Sequence, residues 1–195
     1  MIEHPLDRRP VIVAIAGSNG AGKTTFSHSH LQRAGLPFIN ADDIACELDI
    51  SAYEAAEIAD ALRRELVRQR ESFVFETVFS DPTGEKLAFL TDAVGAGYNV
   101  ILCFIGISGA ETSEERVAMR VSQGGHDVPP EKLMTRFPRT VANLKAAIQT
   151  LPVVLIFDNQ DLAAPFRKVA ECRNGKAAFV ADPVPQWLRA VLRLR

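Results

Sequence analysis

Residues 17–24 read Gly17-Ser18-Asn19-Gly20-Ala21-Gly22-Lys23-Thr24 and match the pattern G-x-x-x-x-G-K-[ST] at every fixed position. The apolar run Val11–Ala16 precedes this loop and predicts a buried strand, and a helix is expected from about Gly22 to Arg33. The glycines let the backbone N–H groups wrap a phosphate, and the N-terminus of the helix adds positive potential. The loop and the adjoining Thr25 therefore predict a nucleotide-binding site.

The residue types in the loop also predict the ligand. We expect Lys23 to reach the terminal phosphates of ATP and the Thr24 hydroxyl to ligate Mg²⁺. A glycine-rich turn without a ligand is the alternative. The strand, loop and helix stand in the required order, so the nucleotide site is favoured.

Outside the loop, apolar runs alternate with helical patterns, which is typical of βαβ units and a parallel sheet. Further strands are predicted at 38–39, 73–77, 100–105 and 153–157. Helices are predicted at 51–70, from Asp81 to Val94, after a Thr112-x-x-Glu115 capping box, and at 131–149 with a bend or break at Pro138. The fold class is therefore α/β, a P-loop NTPase with a doubly wound, mostly parallel five-stranded sheet and helices on both faces.

The end of the chain has a different pattern. Residues 166–172 and 176–180 flank Asn174-Gly175, which predicts a hairpin, and a short helix is expected over 185–194. Neither an internal repeat nor a linker interrupts the sequence. We therefore predict one domain over residues 1–195, with a lid at about 116–139 and the hairpin and helix at about 165–195.

Composition excludes other classes. The 195 residues include 22 basic and 24 acidic side chains, and this balance argues against a nucleic-acid partner. No apolar run approaches the roughly 20 residues of a membrane span, and Met1–Pro10 lacks a secretory signal. Cys46, Cys103 and Cys172 are widely spaced and are expected to be reduced and buried. The expectation is a cytoplasmic protein without a membrane partner.

Carboxylates follow two of the predicted strands. Asp42 and Asp43 come after the second strand, and Glu76-Thr77 end the third, with Ser80 close behind. Carboxyl ends of parallel strands line the ligand crevice of such sheets. We expect Asp42 to take the proton of an attacking hydroxyl, Asp43 to cap a helix or support Asp42, and Glu76, Thr77 and Ser80 to hold the acceptor. Capping and solvated strand ends are the alternatives.

Four arginines flank the segment Gly124-Gly125-His126-Asp127-Val128-Pro129-Pro130, which is predicted to be a loop. Phosphoryl transfer needs positive charge around the moving group, so these arginines predict a lid. Arg120 and Arg136 are expected at the transferred phosphate, Arg116 at the nucleotide and Arg139 at the acceptor. Salt bridges to nearby glutamates are the alternative. His126 lacks ligand spacing, so a metal role is not expected for it.

Asp158 directly follows the predicted strand 153–157, and two roles stay open for it, a contact with Mg²⁺ or a cap of the next turn. A phosphate loop of this kind is compatible with three functional classes. An ABC-type ATPase is disfavoured because Ser122–Gly125 has the wrong letter order and no glutamate follows Asp158, and a GTPase because the N-K-x-D motif is missing. A small-molecule kinase fits, since an acceptor-side carboxylate and an arginine set are both present. A nucleotide-binding ATPase without an acceptor remains the alternative.

The loop residues 17–25, Asn40-Ala41-Asp42, Phe75–Ser80 and the segment from Arg116 through Arg120 to Arg136 together resemble the zeta-toxin-like family of P-loop kinases. The resemblance implies ATP- and Mg²⁺-dependent phosphorylation of a small-molecule hydroxyl, with a UDP-linked N-acetyl amino sugar as acceptor. It implies that Asp42 is the base and Glu76 the substrate-binding acid. By likeness to nucleoside monophosphate kinases, Arg116 would lie on adenine and Arg120 on phosphate.

The resemblance also allows an antitoxin partner, for which the sequence itself carries no signal. The chain is shorter than a full zeta toxin, and its tail of hairpin and Trp187 helix differs. A housekeeping kinase of the same family is therefore the alternative to a toxin.

Overall fold

The run Val11–Ala16 forms the central strand β1, and its side chains alternate between two separate apolar cores. Ile12, Ala14 and Ala16 face one core, whereas Val11, Val13 and Ile15 face the other. A strand buried on both sides requires helices on both faces of its sheet. The sequence prediction of a doubly wound α/β fold is confirmed.

The computed structural model describes residues 8–122 and 128–192. The predicted loop residues Gly124–Asp127 lie outside this range. The elements follow the order β1 (Val11–Ala16), α1 (Lys23–Phe26), β2 (Phe38–Ile39), α2 (Ala41–Leu48), α3 (Ala52–Arg68), β3 (Phe73–Thr77), α4 (Glu85–Gly95), β4 (Asn99–Gly106), α5 (Ala110–Ser122), α6 (Pro130–Thr150), β5 (Val153–Asp158), β6 (Arg167–Arg173), β7 (Lys176–Val180) and α7 (Gln186–Leu192).

Within the described residues the strands form one sheet in the order β2-β3-β1-β4-β5-β6-β7. The first five strands in this order are parallel, as the sequence indicates, and β6 and β7 are antiparallel. The predicted hairpin therefore extends the five-stranded sheet to seven strands. The crossover places β1 between β3 and β4, so the loop after β1 lies beside the ends of both strands.

Three helix starts differ from the sequence prediction because other residues begin these helices than the capping patterns indicate. Asn40 caps α2 by accepting a hydrogen bond from the backbone N–H of Asp42 at 3.0 Å, so Asp43 is not the cap. Helix α5 begins at Ala110, which places Thr112 inside the helix and rules out the Thr112 capping box. Helix α4 begins at Glu85, after Gly84 with its positive φ of 75°.

Other local expectations had mixed outcomes. Ser51 and Glu54 form the predicted capping box of α3. Helix α6 runs through Pro138 without a break. The helix after the phosphate loop changes to a π-helical turn at Ser27–Leu31.

The three cysteines are free thiols, and two of them, Cys103 and Cys172, are buried as expected. The expectation was wrong for Cys46, which lies on the exposed face of α2. In residues 8–122 and 128–192, no helix is long and apolar enough to cross a bilayer.

Candidate active site

Glycines shape the phosphate loop. A larger residue at these positions would force the neighbouring atoms to move. Gly17 has a φ of 152°, and a Cβ on it would lie 2.4 Å from the carbonyl oxygen of Ile105. Gly22 has a φ of 92°, and a Cβ there would lie 2.7 Å from Nδ2 of Asn159. The loop backbone is therefore packed directly against the end of β4 and the turn after β5.

Side chains from two other elements hold this backbone. Ser113 of α5 donates a hydrogen bond to the carbonyl oxygen of Asn19 at 2.6 Å. The Asn159 amide donates to the carbonyl oxygen of Ala21 at 2.8 Å. The ammonium group of Lys23 donates to the carbonyl oxygen of Ser18 at 3.1 Å. Gly20 lies under α5, since a Cβ on it would be 3.0 Å from Cβ of Arg116.

Glu76 lies at the phosphate loop. Thr24 Oγ1 donates a hydrogen bond to Glu76 Oε2 at 2.8 Å, and Lys23 Nζ lies 3.6 Å from Glu76 Oε1. The side chains of Lys23 and Glu76 are only 7% and 10% exposed, so solvent screens this pair weakly. The carboxylate is predicted at the acceptor; in the structure it contacts Thr24 and Lys23 of the loop and also lines the cavity described below. The contact follows from the fold, because Glu76 pairs with Ile15 across the adjacent strands β3 and β1.

This arrangement fits a magnesium ion bound together with nucleotide phosphates. The hydroxyl of Thr24 and the carboxylate of Glu76 are hard oxygen donors, which Mg²⁺ prefers, and they already lie within hydrogen-bonding distance of each other. Among the described residues there is no group of three or more His, Cys, Asp or Glu that would bind a metal without the nucleotide. Phosphate oxygens would have to complete the coordination.

A cavity of about 340 Å³ opens beside the loop. It is lined by Asn19, Lys23, Asn40, Ala41, Asp42, Ala52, Ala56, Ala59, Arg63, Glu76, Thr77, Val78, Lys86, Arg120, Val128, Pro129, Lys132 and Arg136. The structure thus brings together Asp42, Glu76 and Thr77 with Lys23 of the loop. Asp42 sits in the first turn of α2, where the Asn40 cap fixes its backbone N–H.

Asp43 does not line the cavity, but the charges of Glu76 and Asp42, which do line it, act on Asp43. Partial burial and then the nearby charges of Glu76 and Asp42 raise the pKa of Asp43. Ser80 and Arg139, predicted at the acceptor, are not among the described residues that line this cavity. Arg139 Nε donates to the carbonyl oxygen of Thr135 at 3.0 Å, within its own helix.

The remaining arginines divide between two places. Arg120 of α5 and Arg136 of α6 line the cavity with Lys23, and their role at a transferred phosphate stays a prediction. Arg116 points elsewhere and donates to the carbonyl oxygen of Gln160 at 3.1 Å, in the turn after β5. Burial lowers the pKa of Arg116, and the nearby Asp158 acts in the opposite direction.

Asp158 is held by the C-terminal helix. Trp187 Nε1 donates to Asp158 Oδ1 at 2.7 Å, and the indole ring fills the space where Gly106 lacks a side chain, since a Cβ there would lie 2.1 Å from the ring. Asp158 is on β5, which is separated from β1 by β4. The carboxylate that contacts Thr24 is Glu76, and its strand β3 is the direct neighbour of β1.

Sequence reasoning missed two cationic side chains in the cavity, Arg63 of α3 and Lys86 of α4. Arg63 is 5% exposed, lies over the ring of Phe75 with Cζ 4.8 Å from its centroid, and forms an ion pair with Asp60. Lys86 Nζ contacts both oxygens of Asp60, at 2.5 and 2.7 Å. The sequence does carry a sign that Arg63 faces inward. Ala55, Ala59 and Arg63 follow one another at four-residue spacing, so all three lie on the buried face of α3.

Comparison with known proteins gives the family. A sequence profile described as zeta toxin matches residues 47–169. An uncharacterized protein of Haemophilus influenzae is 29% identical over 127 residues, covering 62% of this chain and 88% of that protein.

Solved structures agree on the fold. The AvrRxo1-ORF1:-ORF2 complex with ATP superposes with a TM-score of 0.64 at 18% identity, covering 95% of this chain and 64% of that one. The PezAT chromosomal toxin–antitoxin system of Streptococcus pneumoniae gives 0.57 at 14% identity, covering 96% and 78%. A candidate kinase of Chloroflexus aurantiacus gives 0.57 at 19% identity, covering 80% and 91%. This chain thus spans less than two thirds of the AvrRxo1-ORF1:-ORF2 chain that it matches.

Proposed function

The chain belongs to the zeta toxin family, and on that premise we propose that it is an ATP- and Mg²⁺-dependent kinase that phosphorylates a hydroxyl of a small molecule. One observation carries the proposal. The phosphate-loop lysine, the Thr24–Glu76 pair, the carboxylate of Asp42 and the guanidinium groups of Arg120 and Arg136 all border one cavity or its immediate wall.

The phosphate loop binds the triphosphate through its backbone N–H groups, and Lys23 contacts the terminal phosphates. In the structure Lys23 is paired with Glu76 at 3.6 Å, so the bound γ-phosphate competes with Glu76 for this lysine. Thr24 and Glu76 would hold Mg²⁺, which would neutralise phosphate charge when bound. We therefore propose Glu76 as a metal-site residue and assign no metal contact to Asp158, whose carboxylate is bound by Trp187.

Asp42 supplies the acid–base chemistry on the acceptor side. Its carboxylate accepts the proton of the acceptor hydroxyl as that oxygen attacks the γ-phosphate. Arg120 and Arg136 stabilise the charge that develops on the transferred group. Asn19 also lines this cavity, and its Oδ1 is buried without a hydrogen-bond donor among the described residues.

The remaining lid assignment concerns nucleotide recognition. Arg116 packs over Gly20 and donates to the turn after β5, so we propose that it borders the adenine end of ATP. We assign no substrate contact to Arg139 or Ser80. We also propose that residues at about 116–139 form a lid and that the chain folds as one domain.

A mass-spectrometric acceptor assay tests the kinase. The protein is incubated with ATP and Mg²⁺ alone, and then with UDP-linked N-acetyl amino sugars, nucleosides or simple sugars. We expect ADP release that depends on an acceptor, and a product heavier by one phosphoryl group. The first acceptor to test is a UDP-linked N-acetyl amino sugar, because the family resemblance implies it. Equal ADP release with and without acceptor would identify an ATPase and contradict the proposal.

Lys23→Ala is the control for any contaminating activity, because it removes the contact with the phosphates. Loss of both nucleotide binding and ADP release in this variant assigns the activity to this chain. An antitoxin partner is proposed from the toxin–antitoxin system that shares the fold. Co-expression with the product of an adjacent gene, followed by size-exclusion chromatography, tests it, and two separate peaks would contradict it.

A further inference from the structure

We propose that Asn159, which directly follows β5, is a positioning residue that fixes the direction of one N–H group in the phosphate loop. The group is the backbone N–H of Gly22, and its ligand is a phosphate of the nucleotide. Asn159 touches no substrate and acts through the loop backbone. This inference rests on the nucleotide binding that is part of the proposed function.

Asn159 connects three elements at the carboxyl end of the sheet. Its backbone N–H donates to the carbonyl oxygen of Gly106 at 2.9 Å, at the end of β4. Its side-chain nitrogen donates to the carbonyl oxygen of Ala21 at 2.8 Å, and its side-chain oxygen accepts from the backbone N–H of Phe166 at 3.3 Å. The amide therefore uses its donor on the phosphate loop and its acceptor on the residue before β6.

The packing around this amide favours one orientation. Asn159 is 4% exposed. A Cβ on Gly22 would lie 2.7 Å from Nδ2 of Asn159 and 3.4 Å from the ring of Phe166, so the amide and the ring both abut the loop. Turning the amide over would bring its oxygen to the carbonyl oxygen of Ala21 and its nitrogen to the N–H of Phe166. Both hydrogen bonds would then be lost.

The peptide bond between Ala21 and Gly22 transmits this contact to the ligand side of the loop. The bond is trans, and in a trans peptide the carbonyl group and the following N–H group point in opposite directions. Because Asn159 holds the Ala21 carbonyl oxygen on its own side of the peptide, the Gly22 N–H points away from Asn159. Backbone N–H groups are the part of a phosphate loop that wraps the phosphate.

The conformational freedom of glycine makes such an anchor necessary. Gly22 has a φ of 92°, and glycine rotates through this region at little steric cost. Without the Asn159 amide, the Ala21–Gly22 peptide would be free to rotate, and its N–H would have to be ordered again when phosphate binds. The free energy of that ordering is subtracted from the binding energy. Loss of the amide should therefore weaken phosphate binding in addition to lowering stability.

The test compares Asn159→Ala with Asn143→Ala. Asn143 of α6 is the matched control, because its amide also donates to backbone carbonyl oxygens, those of Phe79 and Asp81, both at 3.0 Å, in the segment after β3. Both variants should have a lower melting temperature. Only Asn159→Ala should bind ATP more weakly in calorimetric titrations with Mg²⁺, by about tenfold, the loss expected when one hydrogen bond to a charged group is weakened.

Inorganic tripolyphosphate shows which part of the nucleotide is affected. It carries the phosphates of ATP without the base, so its affinity should fall by the same factor in Asn159→Ala. An unchanged affinity for tripolyphosphate would overturn the proposal, because a purely structural role changes the melting temperature alone. A loss confined to ATP would overturn it as well, since the effect would then lie at the base.

Nuclear magnetic resonance of the wild-type protein decides the question even if Asn159→Ala does not fold. In ¹⁵N–¹H spectra the amide resonance of Gly22 should shift when tripolyphosphate is added, whereas that of Gly175 in the β6–β7 turn should not. A Gly22 resonance that does not respond to bound tripolyphosphate would overturn the proposal.

None of these measurements requires an acceptor or turnover, so their failure is distinguishable from failure of the kinase assay. A protein that loses tripolyphosphate affinity in Asn159→Ala but phosphorylates nothing would contradict the proposed function and leave the role of Asn159 standing. A working kinase whose phosphate affinity is unchanged by Asn159→Ala would refute the role of Asn159 alone.

Discussion

Replacing Glu76 by Gln should change nucleotide affinity in opposite directions without and with magnesium. In the structure Lys23 Nζ lies 3.6 Å from Glu76 Oε1. Two unit charges at that distance attract by about 5 kcal/mol at an effective dielectric constant of about 20. Bound ATP must replace this interaction and also approach the carboxylate. Without Mg²⁺ the variant therefore frees Lys23 and removes a repulsion, whereas with Mg²⁺ it removes a metal-site oxygen.

Most of the Coulomb energy is offset by desolvation, so we expect a smaller net effect. Metal-free ATP should bind about tenfold more tightly to Glu76→Gln, which corresponds to about 1.4 kcal/mol. The enhancement of affinity by Mg²⁺ should fall by at least the same factor. Calorimetric titration of ATP in EDTA and in excess Mg²⁺ measures both quantities. Gln keeps the shape of Glu and can still accept the hydrogen bond from Thr24, so a loss of folding is not expected.

Glu71→Gln is the matched control, because Glu71 is an exposed acid just before the same strand. It should leave both affinities unchanged. An equal change of affinity in EDTA and in Mg²⁺ for Glu76→Gln would refute the metal role. A loss of ATP binding in both conditions would refute the competition for Lys23 as well.

Three further outcomes are expected. Asp42→Asn should abolish phosphoryl transfer and change the Kd for ATP less than about twofold, because the carboxylate acts on the acceptor; equal losses of turnover and ATP binding would place it at the nucleotide. Arg120→Ala should lower kcat more than it raises the KM for ATP, whereas Arg139→Ala, outside the cavity, should change neither. Similar steady-state kinetics for the two variants would argue against a transition-state role of Arg120. A thiol reagent should label Cys46 rapidly and Cys103 only after unfolding, since burial raises the pKa of Cys103 to about 12; rapid labelling of both in the native protein would contradict the packing of β4.

The phosphate loop and the parallel strands could be predicted because each depends on local signals. Glycines at fixed spacing mark the loop, and β-branched runs mark strands that are buried on both faces. The place of Asp42 beside the cavity could be predicted for the same reason, because it is a carboxylate that follows a strand in an open sheet. These features need no knowledge of which strands are neighbours.

The missed features depend on the tertiary arrangement. Glu76 contacts Thr24 because β3 pairs with β1. The two residues are 52 positions apart in sequence, and no local pattern indicates that they are in contact. The apolar side chains of Ile58 and Leu62 on α3, which a helical pattern alone would place in the core, are 42% and 41% exposed. The helix is rotated so that Arg63 faces inward instead. A charged residue on a helix normally predicts a solvated face, so Arg63 and Lys86 were overlooked.

The contact between Trp187 and Gly106 makes the fluorescence of this protein simple to interpret. The chain contains one tryptophan, so all indole emission comes from a single position. That position abuts Gly106, the residue that follows Ile105, whose carbonyl oxygen lies against Gly17 of the phosphate loop. The C-terminal helix therefore places an intrinsic fluorophore against Gly106, one residue after the Ile105 carbonyl that packs on the phosphate loop. Changes at the loop can be followed through this fluorophore without an added label.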